Sequence, residues 1–413
     1  MRRRDLLGLA ATLPLAPLLA RAQPAARGFA EDFDAMWKAV DEGYAYFDGA
    51  RAAWRRARDL WRPRAAGAKT LEAFARALDG ALAELRDDHV GLSGKGIGVS
   101  RRVPAETDIW ARFAGPQALV TAVRASTVAD VAGLHPGHVV VGIQGLPVEH
   151  AIRDLLGPKP AGGAARDWAL RHVLAGPREG MLRLEVAEGR SRRTLEIARG
   201  TADEGSGPPL VARRIGENRD LGYIRIKNNL GDPAFVGHFD AALTLMGDTR
   251  GLILDLRETF AGGTETGVRA VLSRFVTAES PWQARESAGR PRIVDTVAPR
   301  GAWAYRAALV VLVDRWTAAE GEALAAGLEA VARATLIGTP MAGLRGRART
   351  LTLPRTGLAL RFPAERTFHV NGTPREAIRP AIDVDLAAPS GGPGDPILYQ
   401  GLKRLEGTGV ARR

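Results

Sequence analysis

The sequence has no cysteine, which at once excludes disulfides, thiolate nucleophiles and cysteine-held zinc. Its seven histidines are dispersed and no H-E-x-x-H pair occurs, so metal-dependent hydrolysis lacks a ligand set and neither metal nor cofactor is expected. The glycines between Gly251 and Gly263 lack phosphate-loop spacing, which removes a nucleotide site. Basic runs are missing as well. The net charge is +12, but beyond Arg2-Arg3-Arg4 the arginines are scattered, as on a solvated surface rather than a nucleic-acid footprint. Past the N-terminus no apolar stretch is long enough to span a bilayer, so no stable membrane span is expected once that segment is removed.

What is present is the composition of a soluble globular protein: 413 residues, 46% hydrophobic and 25% charged, enough for two or three domains. Arg3-Arg4-Asp5-Leu6-Leu7 opens a short apolar run through Ala20, broken by Pro14 and Pro17, and Ala20-Arg21-Ala22 supplies small residues at a cleavage site. A charged start, an apolar middle and an A-x-A end read as a secretory signal over residues 1–22. The paired arginines followed by leucines resemble a twin-arginine signal, so a periplasmic or secreted location is expected.

Hydrophobic spacing divides the rest. Phe33, Trp37, Val40 and Tyr44 recur at helical steps, as do Leu71, Phe74, Leu78, Leu82 and Leu85, which predicts a helical region over 23–99 with Pro63 and Ala65–Gly67 separating its two parts. Over 100–204 short β-rich runs take over, among them Ala118–Val123 and His138–Ile143. Between them Ser126–Gly133 reads as a short helix ended by glycine, and Gln144-Gly145 as a tight turn. This segment resembles a PDZ domain, a module that takes extended C-terminal peptides by adding a strand to a sheet edge. Gly205–Pro209 reads as a linker. Over 210–413 apolar strands alternate with helices: Leu221–Ile226, Gly251–Leu256 and Ala308–Val313 against Ala234–Met246, Thr266–Phe275 and Glu320–Ala332, an α/β domain.

Four segments carry a further likeness. Gly251-Leu-Ile-Leu-Asp-Leu-Arg257 with Gly262-Gly263, then Val311-Leu-Val-Asp314 with Thr317-Ala-Ala-Glu-Gly-Glu322, then Arg333-Ala-Thr-Leu-Ile-Gly338, and Leu85-Arg-Asp-Asp-His89 together resemble the C-terminal processing, or tail-specific, serine proteases in their tricorn-like branch. The resemblance implies a fold of N-terminal helices, a PDZ-like β-rich domain and a C-terminal α/β protease-type core. It also implies acyl transfer to a serine at a helix start, with a histidine as general base and a glutamate behind it.

Carried over residue by residue, the resemblance puts His89 at the base position and Glu376, in Gly372-Thr-Pro-Arg-Glu376, at the orienting carboxylate. It gives the oxyanion hole to the backbone of Gly262 or Gly263 and of Glu320. At the nucleophile position stands Ala319, which has no attacking atom. The lysine of the family's other branch has no counterpart either: Leu344 holds its place and Lys227 lies in another segment. Thr317 carries a hydroxyl two residues early, where a helix-capping role is the simpler one. Two functions follow from the likeness. One is a peptidase acting on polypeptide substrates, with hydrolysis in doubt at Ala319. The other is a non-catalytic relative that binds peptide C-termini or a small apolar ligand.

Overall fold

The computed structural model describes residues 26–48, 51–94, 97, 101–157, 161–199, 208–228, 230–260, 263–388 and 394–408. The signal expected over 1–22 and most of the Gly205–Pro209 linker lie outside the described residues.

Three helices open the chain, Ala26–Gly43, Arg51–Ala66 and Leu71–Ala83. The first buries Phe29, Phe33, Met36 and Val40, a stripe at three- and four-residue steps. The third is started by Thr70, whose hydroxyl accepts from Ala73 N at 3.1 Å. Pro63, read from the sequence as a separator, lies inside the second helix. The carbonyl it leaves without an intrahelical donor, that of Asp59, lies on an exposed turn. These helices do not make a core of their own. They pack on Leu353, Leu358, Leu360 and Phe362 from far down the chain. Asp32 ties the first helix to the same region, accepting from the backbone N–H groups of Arg355 and Thr356 at 2.9 and 2.8 Å. The strand Gly91–Ser93 then pairs antiparallel with Ala359–Phe368, setting Gly91 opposite Arg361.

The middle of the chain forms an antiparallel sheet in the order Ile109–Ala114, Gln117–Val123, Val139–Ile143, Gly180–Glu188, Ser191–Arg199, with Leu146–Pro147 folded back on Val139–Ile143. Gln144 and Gly145, at φ 53° and 77°, make the two-residue turn of that hairpin with the doubly positive φ such turns need. Helix Gly163–Ala175 covers the sheet through Trp168, Ala169, Leu170 and Leu174.

The C-terminal α/β unit has a six-stranded sheet in the order Ile382–Asp383, Thr335–Gly338, Ala308–Val313, Gly251–Glu258, Leu221–Lys227, Leu210–Ile215, parallel except for the last pair. Its central strands are apolar on both sides because both faces are covered. Helices Phe235–Leu245, Glu265–Leu272 and Glu320–Ala332 bury one face, and Pro396–Thr408 buries the other through Ile397 and Leu405. Strands Gly251–Glu258 and Ala308–Val313 are parallel neighbours, so their C-terminal loops emerge side by side, the usual place for a site in such a sheet. The mixed architecture expected from the sequence is the one observed.

Candidate functional site

The loop after Ala308–Val313 makes a sharp strand-to-helix elbow. Ala319 stands at its tip with φ 50° and ψ −108°, a conformation an L-residue adopts only under strain of about 1–3 kcal/mol. The strain is held from several sides. Ala318 N donates to Thr259 O at 3.1 Å, and Ala342 N donates to Thr317 O at 3.1 Å. Gly321 lies so close to the neighbouring loop that a Cβ there would come within 2.0 Å of Thr259 Oγ1. Thr317 is fully buried; its hydroxyl donates to Leu256 O at 3.1 Å and accepts from Asp314 N at 3.0 Å. That hydroxyl is a fastening of the loop.

Beneath the elbow sits Glu322, also fully buried. Its carboxylate accepts from the N–H groups of Ala319 at 2.9 Å, Gly343 at 2.8 Å and Leu344 at 3.3 Å. Burial pushes this carboxyl up to about 7, against the pull of Arg375 and the three N–H groups. In the sequence Glu322 served only to fix the register of the motif. Its position three residues into the helix is the available signal, because there a glutamate reaches back to the cap N–H.

His89 is delivered to the same place from the other end of the chain. Asp87 accepts from His89 N at 2.8 Å and from the Tyr44 hydroxyl at 2.7 Å, which fixes the loop before Gly91–Ser93. The imidazole is 5% exposed. Its Nδ1 donates to Arg345 O at 2.6 Å, and its Nε2 accepts from the Arg361 guanidinium at 2.8 Å. Arg361 can only donate, so the tautomer is set and both ring nitrogens are committed. Burial first, then the charges of Arg361 and Arg375, push the imidazole down to about 3. Arg361 also lies within charge range of Glu320, the first residue of the helix after Ala319. Leu344, next to Arg345, packs with Ala318, Ala319 and Ala342. Arg361 thus links His89 to the charge range of Glu320, the residue after Ala319.

The remaining sequence-derived residues fall out as follows. Gly263, at φ 138°, is pressed on Glu320: a Cβ on it would lie 2.7 Å from Glu320 Cβ. Gly262 lies outside the described residues. The Glu320 N–H opens a 13-residue helix and so belongs to its unpaired first turn. Glu376 is in the short helix Arg375–Ala377, and no hydrogen bond links it to His89. It lies beside the Tyr46 hydroxyl, whose pKa rises first through burial and then through this carboxylate. Its Oε2 is buried without a hydrogen-bond partner among the described residues. The imidazole is oriented instead by the Arg345 carbonyl, while the Arg345 guanidinium bonds Tyr44 at 3.1 Å. Arg345 and Arg361 carried no sequence signal, since arginines are spread throughout the chain. Among the described residues no group of three or more His, Asp or Glu is placed to hold a metal ion.

The antiparallel middle sheet is clamped onto this site. Asp88, the neighbour of His89, bonds Arg171 and His172 of helix Gly163–Ala175 at 2.8 and 2.9 Å. Those contacts hold its carboxyl down at about 2 despite burial. Trp316, in the elbow loop, donates from Nε1 to Thr107 O at 2.7 Å and packs with Phe260, Val103, Trp110 and Ala122. A cavity of about 420 Å³ lies along this junction, lined among others by Arg101, Arg102, Trp168, His172, Val173 and Arg199.

Comparison with known proteins agrees with this architecture. Residues 220–385 match the family model described as peptidase family S41. The photosystem II D1 C-terminal processing protease is similar over 91% of this chain and 96% of its own, at 18% identity and a TM-score of 0.57. Mature CPAF is similar over 92% of this chain and 96% of its own, at 14% identity and a TM-score of 0.61. At such identities the structures share the fold alone. No curated protein matches the sequence. Residues 220–385 are thus similar to peptidase family S41, and the described chain as a whole has the fold of the C-terminal processing protease.

Proposed function

We propose that this protein holds polypeptide segments at a protease-type elbow without cutting them. One observation carries the reading: at the junction of the elbow and His89, a methyl group stands where attack would start, and Arg361 occupies the nitrogen that would take the proton. Acyl transfer needs a nucleophile and a base within hydrogen-bond reach of each other, and both functions are closed here. Loss of a serine nucleophile alone costs on the order of a million-fold in turnover. The groove and the backbone donors at Gly263 and Glu320 outlast that loss.

The family's substrates point to polypeptide as the ligand. The middle sheet, read as PDZ-like, would take an extended segment through a C-terminus, with the cavity beside helix Gly163–Ala175 as its receiving groove. Export through residues 1–22 belongs to the same reading, with polypeptides outside the cytoplasm as the pool of ligands. Protein starting at Gln23 in a periplasmic or culture fraction supports that part, and an uncleaved cytoplasmic chain contradicts it.

The experiment is co-elution of the mature chain with an unfolded polypeptide in size-exclusion chromatography. A stable complex that a short competing C-terminal peptide dissolves supports the proposal. No complex at any concentration up to the solubility limit overturns it.

A further inference from the structure

The cavity of about 420 Å³ lies where the third helix, the loop before Gly91–Ser93, helix Gly163–Ala175 and strand Ser191–Arg199 come together. Its wall includes Leu82, Leu92, Val103, Leu155, Trp168 and Val173, and its size is that of a small-ligand site, roughly 300–1,000 Å³. Most charged groups on the wall have partners. Asp88 is held by Arg171 and His172 at 2.8 and 2.9 Å, and Asp87 by the Tyr44 hydroxyl at 2.7 Å. Arg102 bonds Glu106 at 3.1 Å, and Asp79 and Arg101 are engaged as well. Arg199 is left over. Its Nε is buried without a hydrogen-bond partner among the described residues, and its Nη2 reaches the Val173 carbonyl at 3.5 Å, the long limit of a bond. The guanidinium lies against Gly176, at the end of helix Gly163–Ala175: a Cβ there would come within 2.5 Å of Arg199 Cζ. The Gly176 carbonyl accepts from Arg101 N at 3.0 Å, so Arg101 and Arg199 border the same residue of the wall. Burial first, then the Arg101 charge, lowers the pKa of Arg199. Trp168, 4% exposed, offers a second donor: its Nε1–H is buried and has no acceptor among the described residues. Two buried donors without acceptors on one cavity's walls cost folding free energy, which a ligand with acceptors recovers.

We infer that this cavity binds a carboxylate carried on an apolar body, with the Arg199 guanidinium taking the carboxylate and Trp168 Nε1 donating to a further oxygen of the ligand. The inference deepens the polypeptide-holding reading above, on which its peptide source rests. A planar guanidinium pairs with both oxygens of a carboxylate, and the low dielectric of a half-buried site strengthens the bond. The apolar side chains of the wall take the body. Two sources carry this chemistry. One is the last residue of a held polypeptide, with its α-carboxylate and the carbonyl before it. The other is a free aliphatic acid. The wall joins the third helix and the Asp87-Asp88 loop to the middle sheet, so an occupant bridges those parts and is expected to raise Tm.

The experiment titrates four probes into the full, unmodified chain by calorimetry, with Tm read alongside: a hexapeptide ending in leucine with a free α-carboxylate, the same peptide as its C-terminal amide, octanoate, and octanamide. An acid that binds is expected to do so roughly tenfold or more tightly than its amide, the worth of one charge-assisted hydrogen bond. Arg199→Gln is expected to abolish that ratio while leaving amide binding in place, and Arg199→Lys to restore part of it. Leu155→Trp, at a half-buried position on the wall, is expected to fill the cavity and weaken every probe. Binding of the peptide without octanoate assigns the polypeptide terminus as the source, octanoate without the peptide assigns the free acid, and competition between them assigns both; each supports the site. Acid and amide binding equally, a ratio that survives Arg199→Gln, or undiminished binding in Leu155→Trp overturns the inference and leaves the polypeptide-holding reading standing. Failure of both acids to bind overturns it too, and the reading above falls with it only if an unfolded polypeptide also fails to co-elute.

Discussion

Consider two variants, Ala319→Ser alone and Ala319→Ser with Arg361→Gln. In the first, a hydroxyl is supplied at the elbow, but the imidazole it would need still has Nδ1 on Arg345 O and Nε2 on Arg361. The fall of His89 from the ordinary 6.5 to about 3 means that placing a proton on this ring costs about 5 kcal/mol more than on a free imidazole. Expressed in full in a transition state, that is three to four orders of magnitude in rate. In the second variant the Arg361 charge is gone and Nε2 is open. Glutamine is shorter and neutral, so water and a serine hydroxyl gain access and part of the burial cost is relieved as well. The single variant is expected to stay within about tenfold of the unmodified chain, and the double variant to exceed it by roughly 10²–10⁴, the usual range for a general base. The assay is cleavage of an unfolded polypeptide followed by mass spectrometry, with nitrogen-detected NMR of the imidazole alongside. Equal activity of the two variants, or an imidazole titrating near 6.5 while Arg361 is present, refutes the reasoning.

Other perturbations probe the same elbow. Glu322→Ala leaves the buried N–H groups of Ala319, Gly343 and Leu344 without their acceptor, at about 1–3 kcal/mol each, and a large loss of stability in denaturant unfolding is expected. Ala319→Gly relieves a positive φ; an exchange that usually destabilises is expected here to be neutral or to stabilise by about 1 kcal/mol, and a clear loss of Tm contradicts the strain argument. Because the folded-state pKa of His89 is lowered, its contribution is complete above the ordinary 6.5 and is lost as pH falls toward about 3. Unfolding free energy is therefore expected to decline over that window, and His89→Gln is expected to flatten the decline.

The parts legible in the sequence were those where a local pattern has one physical solution. The apolar runs Gly251–Leu256 and Ala308–Val313 admit little besides buried parallel strands, whereas Thr317, read as a helix cap, instead fastens the loop to Leu256 and Asp314, and the helix start is tied by Glu322 reaching back to the Ala319 N–H. The helices 26–83 were legible as helices but not as partners of Leu353–Phe362, because a shared core across more than 250 residues leaves no local trace. The same limit applied at the site. His89 stands in a recognisable motif, whereas Arg361 reaches it only through the pairing of Gly91 with Arg361. Glu376 was matched by its motif, yet the bond that orients the ring comes from a backbone carbonyl, which any residue at 345 supplies.

The most direct test of the central claim is to incubate the unmodified chain with an unfolded polypeptide, recover the complex, and weigh the bound polypeptide by mass spectrometry over many hours. The account predicts a bound polypeptide of undiminished mass, while Ala319→Ser with Arg361→Gln yields fragments. Fragments produced by the unmodified chain and abolished by His89→Ala would contradict it.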